Sequence, residues 1–139
     1  MGNDSSYIHK FVSYEDVQST IINTNTKSIL INTMNQEEQE CLIHNTLPII
    51  DEVMYMNELL ENQQYEYIYI YGKNYMDRSI NKKYEQLISL GFTNVYIYGG
   101  GMFEWLLLQD IYDVELFPTT SVEIDILKYR PNATHINNR

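Results

Sequence analysis

Cysteine is almost absent from this sequence, since Cys41 is the only one. A lone cysteine excludes an internal disulfide and any zinc site built from several thiolates. No stretch approaches the roughly 18 apolar residues that a membrane-spanning helix needs, and the polar opening MGNDSSYIHK is unlike a secretory signal. We therefore expect a cytoplasmic protein in a reducing compartment.

Basic residues are also scarce, with nine Lys and Arg against nineteen Asp and Glu and a formal net charge of −10. Such a field repels nucleic acid and anionic membrane surfaces. The three histidines, His9, His44 and His135, are scattered, and no acidic residues accompany them at metal-ligand spacing. We expect no nucleic-acid partner, no metal and no cofactor.

A chain of 139 residues is long enough for one domain with its own hydrophobic core. Residues 1–10 are polar and are predicted to be a flexible N-terminus. Residues 11–117 are predicted to form the domain, and residues 118–139 an irregular C-terminal extension.

Strands and helices alternate along the predicted domain, which favours an α/β fold with a parallel sheet. Apolar runs predict strands at 28–31, 46–50, 67–71 and 94–98. A capping box at 13–16 predicts a short first helix, and amphipathic or apolar periodicity predicts further helices at 51–61, 79–90 and 102–108. On the helix at 51–61 the residues expected to face inward are Val53, Met56, Leu59 and Leu60.

The run from Tyr67 to Tyr71 is the strongest strand signal in the chain, and it is apolar on both faces. Burial of both faces is typical of a central strand in a parallel sheet covered by helices. Alternation places Tyr67, Tyr69 and Tyr71 on one face of the sheet and the two isoleucines on the other.

The loop after this strand lies where an α/β sheet usually binds its ligand, beyond the carboxyl ends of the strands. It leads into a helix N-terminus, whose free N–H groups and dipole favour an anion. The candidate anion-binding residues are Gly72, Lys73, Asn74, Tyr75, Met76, Asp77, Arg78 and Ser79. Asp77 competes with an external anion, because its own carboxylate can accept the same N–H groups.

The second half of the chain resembles the rhodanese-like family. The motifs that carry the resemblance, in order, are Arg78-Ser79 after the loop, Gly91-Phe92-Thr93-Asn94-Val95, Gly99-Gly100 and Trp105. The first half matches more weakly, through 29–32 and 41–47, so that the resemblance covers roughly residues 11–108. It implies a three-layer domain with a mostly parallel sheet of about five strands flanked by helices.

In an active member of that family a cysteine opens the loop, and the helix dipole lowers its pKa. The resemblance puts Gly72 at that degenerate nucleophile position, and glycine cannot form a persulfide or a phosphoenzyme. Asn32 stands where the family often has an aspartate. Arg78 follows Gly72 by six positions, which is the spacing of the related dual-specificity phosphatases rather than of the sulfurtransferases.

The preferred hypothesis is a non-catalytic rhodanese-like module that binds or regulates a protein partner through the residual loop. One alternative is an enzyme, a sulfurtransferase or a Cys-dependent phosphatase with an atypical nucleophile, for which Cys41 is the only thiol available. Cys41 itself is predicted to be a small packing residue. A second alternative is a structural or scaffold protein.

The first residues fit the M-G-x-x-x-S/T pattern of N-myristoylation, which makes Gly2 a lipidation candidate. No polybasic patch follows it, so that one acyl chain would give at most weak, reversible membrane association.

Overall fold

The computed structural model describes residues 9–23, 27–64 and 66–133. Four strands in these ranges form one fully parallel sheet in the order β1-β4-β3-β2. The strands are β1 (Phe11–Val12), β2 (Ser28–Asn32), β3 (Tyr67–Tyr71) and β4 (Val95–Tyr98). The helices are α1 (Tyr14–Ile22), α2 (Ile49–Glu61), α3 (Ser79–Ser89) and α4 (Gly101–Ile111), with 3₁₀ helices at Gln36–Glu38 and Ile126–Tyr129.

The helices cover both faces of the sheet, so the predicted three-layer α/β architecture is confirmed. On one face α1 and α4 pack against the sheet through buried residues that include Val17, Met102, Trp105 and Leu106. On the other face α2 and α3 do so through Met56, Leu59, Ile80, Tyr84 and Leu87. In the part of the chain described, no helix is long and apolar enough to cross a bilayer.

Strand β3 lies between β2 and β4, and its side chains alternate between the two layers as predicted. Ile68 and Ile70 are fully buried against α2 and α3, while Tyr71 is fully buried on the α4 side. Tyr67, at the start of the strand, is 41% exposed. The Tyr71 hydroxyl accepts a hydrogen bond from Ile43 N at 3.1 Å and lies 2.8 Å from Thr46 Oγ1.

Replacing Tyr71 by phenylalanine is expected to lower the free energy of unfolding by about 1–3 kcal/mol, because a buried backbone N–H loses its acceptor. Tyr69→Phe is the matched control, since that hydroxyl makes no hydrogen bond within the described residues. Urea denaturation measures both. Equal losses for the two variants would contradict the role given to the Tyr71 hydroxyl.

The strand predicted at 46–50 is wrong. Thr46 makes a single parallel bridge to Leu30, and α2 begins at Ile49, with Pro48 at its N-cap. Proline has no N–H to give to a strand ladder, whereas its fixed φ suits the start of a helix. The short strand β1, which was not predicted, pairs with β4 and forms the edge of the sheet opposite β2. The described sheet therefore has four strands instead of about five.

The inward face of α2 also differs from the prediction. Met56 and Leu59 are buried, but Val53 is 73% exposed and Leu60 is 38% exposed. Glu52 is buried on this helix instead, and Lys83 Nζ of α3 lies 2.5 Å from its carboxylate. Burial of a carboxylate requires a cationic partner of this kind, and the hydropathy pattern of the helix does not show that Glu52 has one.

The capping box at the start of α1 is confirmed. Glu15 N donates to Ser13 Oγ, and Ser13 N donates to the Asp16 carboxylate. Of the predicted flexible N-terminus only residues 9 and 10 are described, and Lys10 O accepts a hydrogen bond from Ile97 N at 2.8 Å.

The described part of the predicted C-terminal extension, residues 118–133, lies against the domain. Tyr129 is 1% exposed. Pro118 O accepts hydrogen bonds from His44 N and Trp105 Nε1, and Thr120 N donates to Leu42 O. This segment closes the core on the α4 side.

Candidate functional site

The loop of residues 72–78 leaves the carboxyl end of β3 and enters α3. Strands β2 and β4 end on either side of it, at Asn32 and Tyr98. In a parallel sheet this edge is the usual place for a ligand. The structure thus places the loop where the sequence predicts it.

The first two carbonyls of the loop are bound to the N-terminus of α4. Met102 N donates to Gly72 O at 2.9 Å, and Phe103 N donates to Lys73 O at 2.8 Å. Gly101 permits this contact, because its φ is +65° and an added Cβ would lie 2.6 Å from Gly72 O. The α4 N-terminus therefore holds loop carbonyls in the place where a helix often holds an anion.

Asp77 binds the N–H groups at the two ends of the loop. Its Oδ2 accepts a hydrogen bond from Lys73 N at 3.0 Å, and its Oδ1 accepts from Ser79 N at 3.1 Å and from Ser79 Oγ at 2.6 Å. Ser79 is the first residue of α3, after Arg78 at the N-cap, so the carboxylate accepts one of the free N–H groups at the start of that helix. The loop holds an internal anion.

The same carboxylate fills the space beside Gly72. A Cβ added at Gly72 would overlap Asp77 Oδ2, and it would lie 2.9 Å from Asp77 Cγ and 3.0 Å from Ile80 Cγ1. A side chain at position 72 therefore requires the aspartate to move. The observed position of the Asp77 carboxylate therefore requires a residue without a Cβ at position 72.

Asn74 lies in the middle of the loop, and its side chain, which is 6% exposed, holds the loop in place. Its Nδ2 donates to Tyr129 O at 2.8 Å, and its Oδ1 accepts from Met76 N at 2.9 Å. The C-terminal segment therefore supports the loop. No sequence signal indicates this contact, because Asn74 and Tyr129 are 55 positions apart.

The two cations of the loop do not form a pair around an anion. Lys73 Nζ lies 3.1 Å from a carboxylate oxygen of Glu38, and Arg78 is exposed and makes no ion pair within the described residues. Tyr75 and Met76 are 73% and 44% exposed. The outer surface of the loop is therefore formed by two large apolar side chains and an exposed guanidinium.

Asn32 stands at the end of β2 and is 2% exposed. Its Oδ1 accepts hydrogen bonds from Met34 N at 3.0 Å and from Gln39 Nε2 at 2.7 Å. A neutral amide suits these contacts, since it can also donate to the Gln39 side chain. The residue organises the turn after β2.

Cys41 is a packing residue, as predicted. It is 4% exposed within the cluster that contains Tyr71 and Tyr129, and its Sγ donates to Ser121 O at 3.3 Å. Burial raises the pKa of the thiol above its usual value. The protonated thiol is a poor nucleophile.

Of the other candidates, His9 lines one surface pocket together with Tyr75, Met76 and Arg78 of the loop. The ring of His9 packs edge-on against Tyr84 with its centroid 4.8 Å away, and His44 is exposed. Gly2 and His135 lie outside the described residues. In the ranges described, no three His, Cys, Asp or Glu side chains lie together as a metal site requires.

No family model matches the chain, and no curated protein matches it in sequence. Solved structures do match its fold. The rhodanese-like domain of the Anabaena sp. protein Alr3790 aligns with a TM-score of 0.55 and 19% identity, over 91% of this chain and 88% of that domain. The As-Sb reductase of Leishmania major aligns with a TM-score of 0.55 and 19% identity, over 76% and 79% of the two chains.

The BH2092 protein of Bacillus halodurans is a further match, with a TM-score of 0.59 and 18% identity over 72% of this chain and 73% of that one. At this level of identity the likeness concerns the fold. This protein has the rhodanese-like fold that its motifs predicted.

Proposed function

We propose that this protein is a non-catalytic rhodanese-like module that binds a protein partner. The observation that carries the proposal is the Asp77 carboxylate, which accepts the N–H groups of Lys73 and Ser79 beside Gly72. An enzyme of this fold needs a nucleophile at the start of the loop, and glycine supplies none. It also needs free N–H groups for the substrate anion, and at Lys73 and Ser79 the aspartate occupies them.

The protonated, buried thiol of Cys41 argues against a second catalytic route. A nucleophilic cysteine needs a partly exposed, electropositive setting that lowers its pKa. Cys41 is 4% exposed, and burial raises its pKa by more than the hydrogen bonds with Ser121 and Thr119 lower it.

The exposed side chains of the loop support the binding role. Tyr75, Met76 and Arg78 give the loop an aromatic ring, a flexible apolar side chain and a cation, which are residue types enriched at protein interfaces. In this proposal the loop that carries the nucleophile in enzymes of this fold contacts a partner protein instead. Such a change of role is consistent with the observation that one fold can serve many functions.

We expect the purified protein to produce no thiocyanate from thiosulfate and cyanide above the protein-free rate, and no nitrophenol from p-nitrophenyl phosphate. An active rhodanese and an active phosphatase serve as positive controls. Turnover in either assay would overturn the non-catalytic assignment, and its loss in Cys41→Ser would identify the nucleophile.

The contact role of the loop has its own test. The full chain is cross-linked to its partners in the lysate of its native cells. The Tyr75→Ser/Met76→Ser variant should cross-link less partner protein than the wild type. The control variant Ile22→Ser, which changes an exposed apolar residue on α1, should cross-link the same amount. An identical cross-linking pattern for both variants would remove the loop as the contact surface.

A further inference from the structure

A second exposed apolar surface lies at the C-terminal side of the domain, and we call it the C-terminal face. Its most exposed members are Ile124 at 89%, Val122 at 86% and Val114 at 60%. These residues lie together along one groove of about 440 Å³. Clustered exposure of large aliphatic side chains marks an interaction surface, whereas isolated cases are ordinary.

The floor of this groove is the core of the domain. Leu106 of α4 is 1% exposed, and Ile126 packs against the same core cluster from the 3₁₀ helix. The floor of the groove is therefore fixed by the core, and Val122 and Ile124 lie beside it on the irregular segment 121–125. A preformed groove binds a partner without a large ordering cost.

Acidic side chains border the groove. Asp110 and Asp113 line it, and no residue that lines it is basic. Glu123 also lines it, but its carboxylate is paired with Lys128 and its negative charge is offset. Among the described residues Asp110 has no partner, so that its charge is available to a ligand.

We propose that the C-terminal face docks a basic amphipathic segment of a partner protein. Its apolar side chains would enter the groove beside Val122 and Ile124, and its lysines or arginines would meet Asp110 and Asp113. This combination of apolar contact and charge complementarity is the way an amphipathic helix binds in a groove.

Charge argues against a second copy of this chain as the occupant. A symmetric contact would bring the acidic border of one copy against that of the other, between two molecules of net charge −10 each. Like charges placed across an interface disfavour it. The proposal uses no residue of the 72–78 loop, so it stands or falls separately from the proposed function.

The test is fluorescence anisotropy with a labelled amphipathic peptide made of leucine and lysine, titrated with the full chain. A peptide of the same pattern with glutamate in place of lysine is the charge control. Val122→Ser/Ile124→Ser should weaken binding of the leucine–lysine peptide by at least about tenfold.

The matched control is Ile50→Ser/Val53→Ser on α2, where the side chains are 88% and 73% exposed but lie elsewhere on the surface. It should change the affinity by less than about twofold. Asp110→Asn should weaken binding and reduce its dependence on salt, because ion pairs with the peptide are screened by salt.

Four outcomes would overturn the proposal. The wild type could fail to bind the leucine–lysine peptide, or could bind the glutamate peptide equally well. The two double variants could bind alike. Light scattering could show a wild-type dimer that Val122→Ser/Ile124→Ser dissociates, which would assign the face to a second copy.

Discussion

Gly72→Cys should carry an unreactive thiol on its own and a reactive one when Asp77→Ala accompanies it. In the single variant the new Cβ meets Asp77 Oδ2 directly, so the carboxylate must shift, and we expect it to remain near the sulfur within the same short loop. A neighbouring negative charge disfavours the thiolate, so the pKa of the new thiol should lie above its ordinary value. The thiol should therefore remain protonated at neutral pH.

Removal of the aspartate reverses both effects. Lys73 N and Ser79 N lose their acceptor and become available to the sulfur, and the α3 dipole favours a negative charge there. Each unit by which the pKa falls raises the thiolate fraction about tenfold at a pH below the pKa. We expect alkylation by iodoacetamide at neutral pH to be at least about tenfold faster in the double variant than in the single.

Both variants are made with Cys41→Ser, so that position 72 carries the only thiol. Gly72→Cys/Asp77→Asn distinguishes the electrostatic effect of Asp77 on the thiol from its steric effect, because the amide keeps the bulk of the carboxylate without its charge. Gly72→Cys/Asp51→Ala is the matched control, since Asp51 is exposed on α2. Equal alkylation rates in the single variant and the Asp77→Ala variant would refute the blocking role of Asp77.

Trp105→Ala should remove a large part of the stability of the domain. Trp105 is fully buried, its ring packs edge-on against Tyr98 and Phe117, and its Nε1 donates to Pro118 O at 3.1 Å. Truncation of a buried tryptophan to alanine costs about 3–5 kcal/mol. The whole free energy of unfolding of a domain is ordinarily about 5–15 kcal/mol.

Urea denaturation measures this loss. Trp105→Phe keeps most of the ring volume and removes only the donor to Pro118 O, so it should lose about 1–3 kcal/mol. Leu107→Ala, which is 36% exposed on the same helix, should lose clearly less than Trp105→Ala. A loss below about 1 kcal/mol for Trp105→Ala would contradict the packing described for residues 105 and 118.

The parts of the fold that were predicted correctly depend on local pattern. The isoleucines and tyrosines of β3 alternate between two faces, and that alternation follows from strand geometry alone. The box at Ser13 and Asp16 starts a helix through contacts three residues apart. Such signals lie within one element and need no knowledge of its neighbours.

Two features that the local pattern did not reveal depend on a distant partner. Glu52 is buried with its carboxylate paired to Lys83 of the next helix, whereas Val53 beside it is exposed. Asn74 is anchored by Tyr129, which lies in the predicted C-terminal extension. Neither pairing leaves a periodic trace in the sequence.

For the candidate site, the residue pattern was enough to locate the loop and to show that Gly72 offers no nucleophile. The resemblance of the motifs after the loop also gave the fold. What fills the loop became visible in the folded chain alone, since the position of the Asp77 carboxylate depends on how the chain turns between β3 and α3. The apolar groove at the C-terminal face likewise depends on the folded chain, because it forms only where residues 114–126 pack against α4.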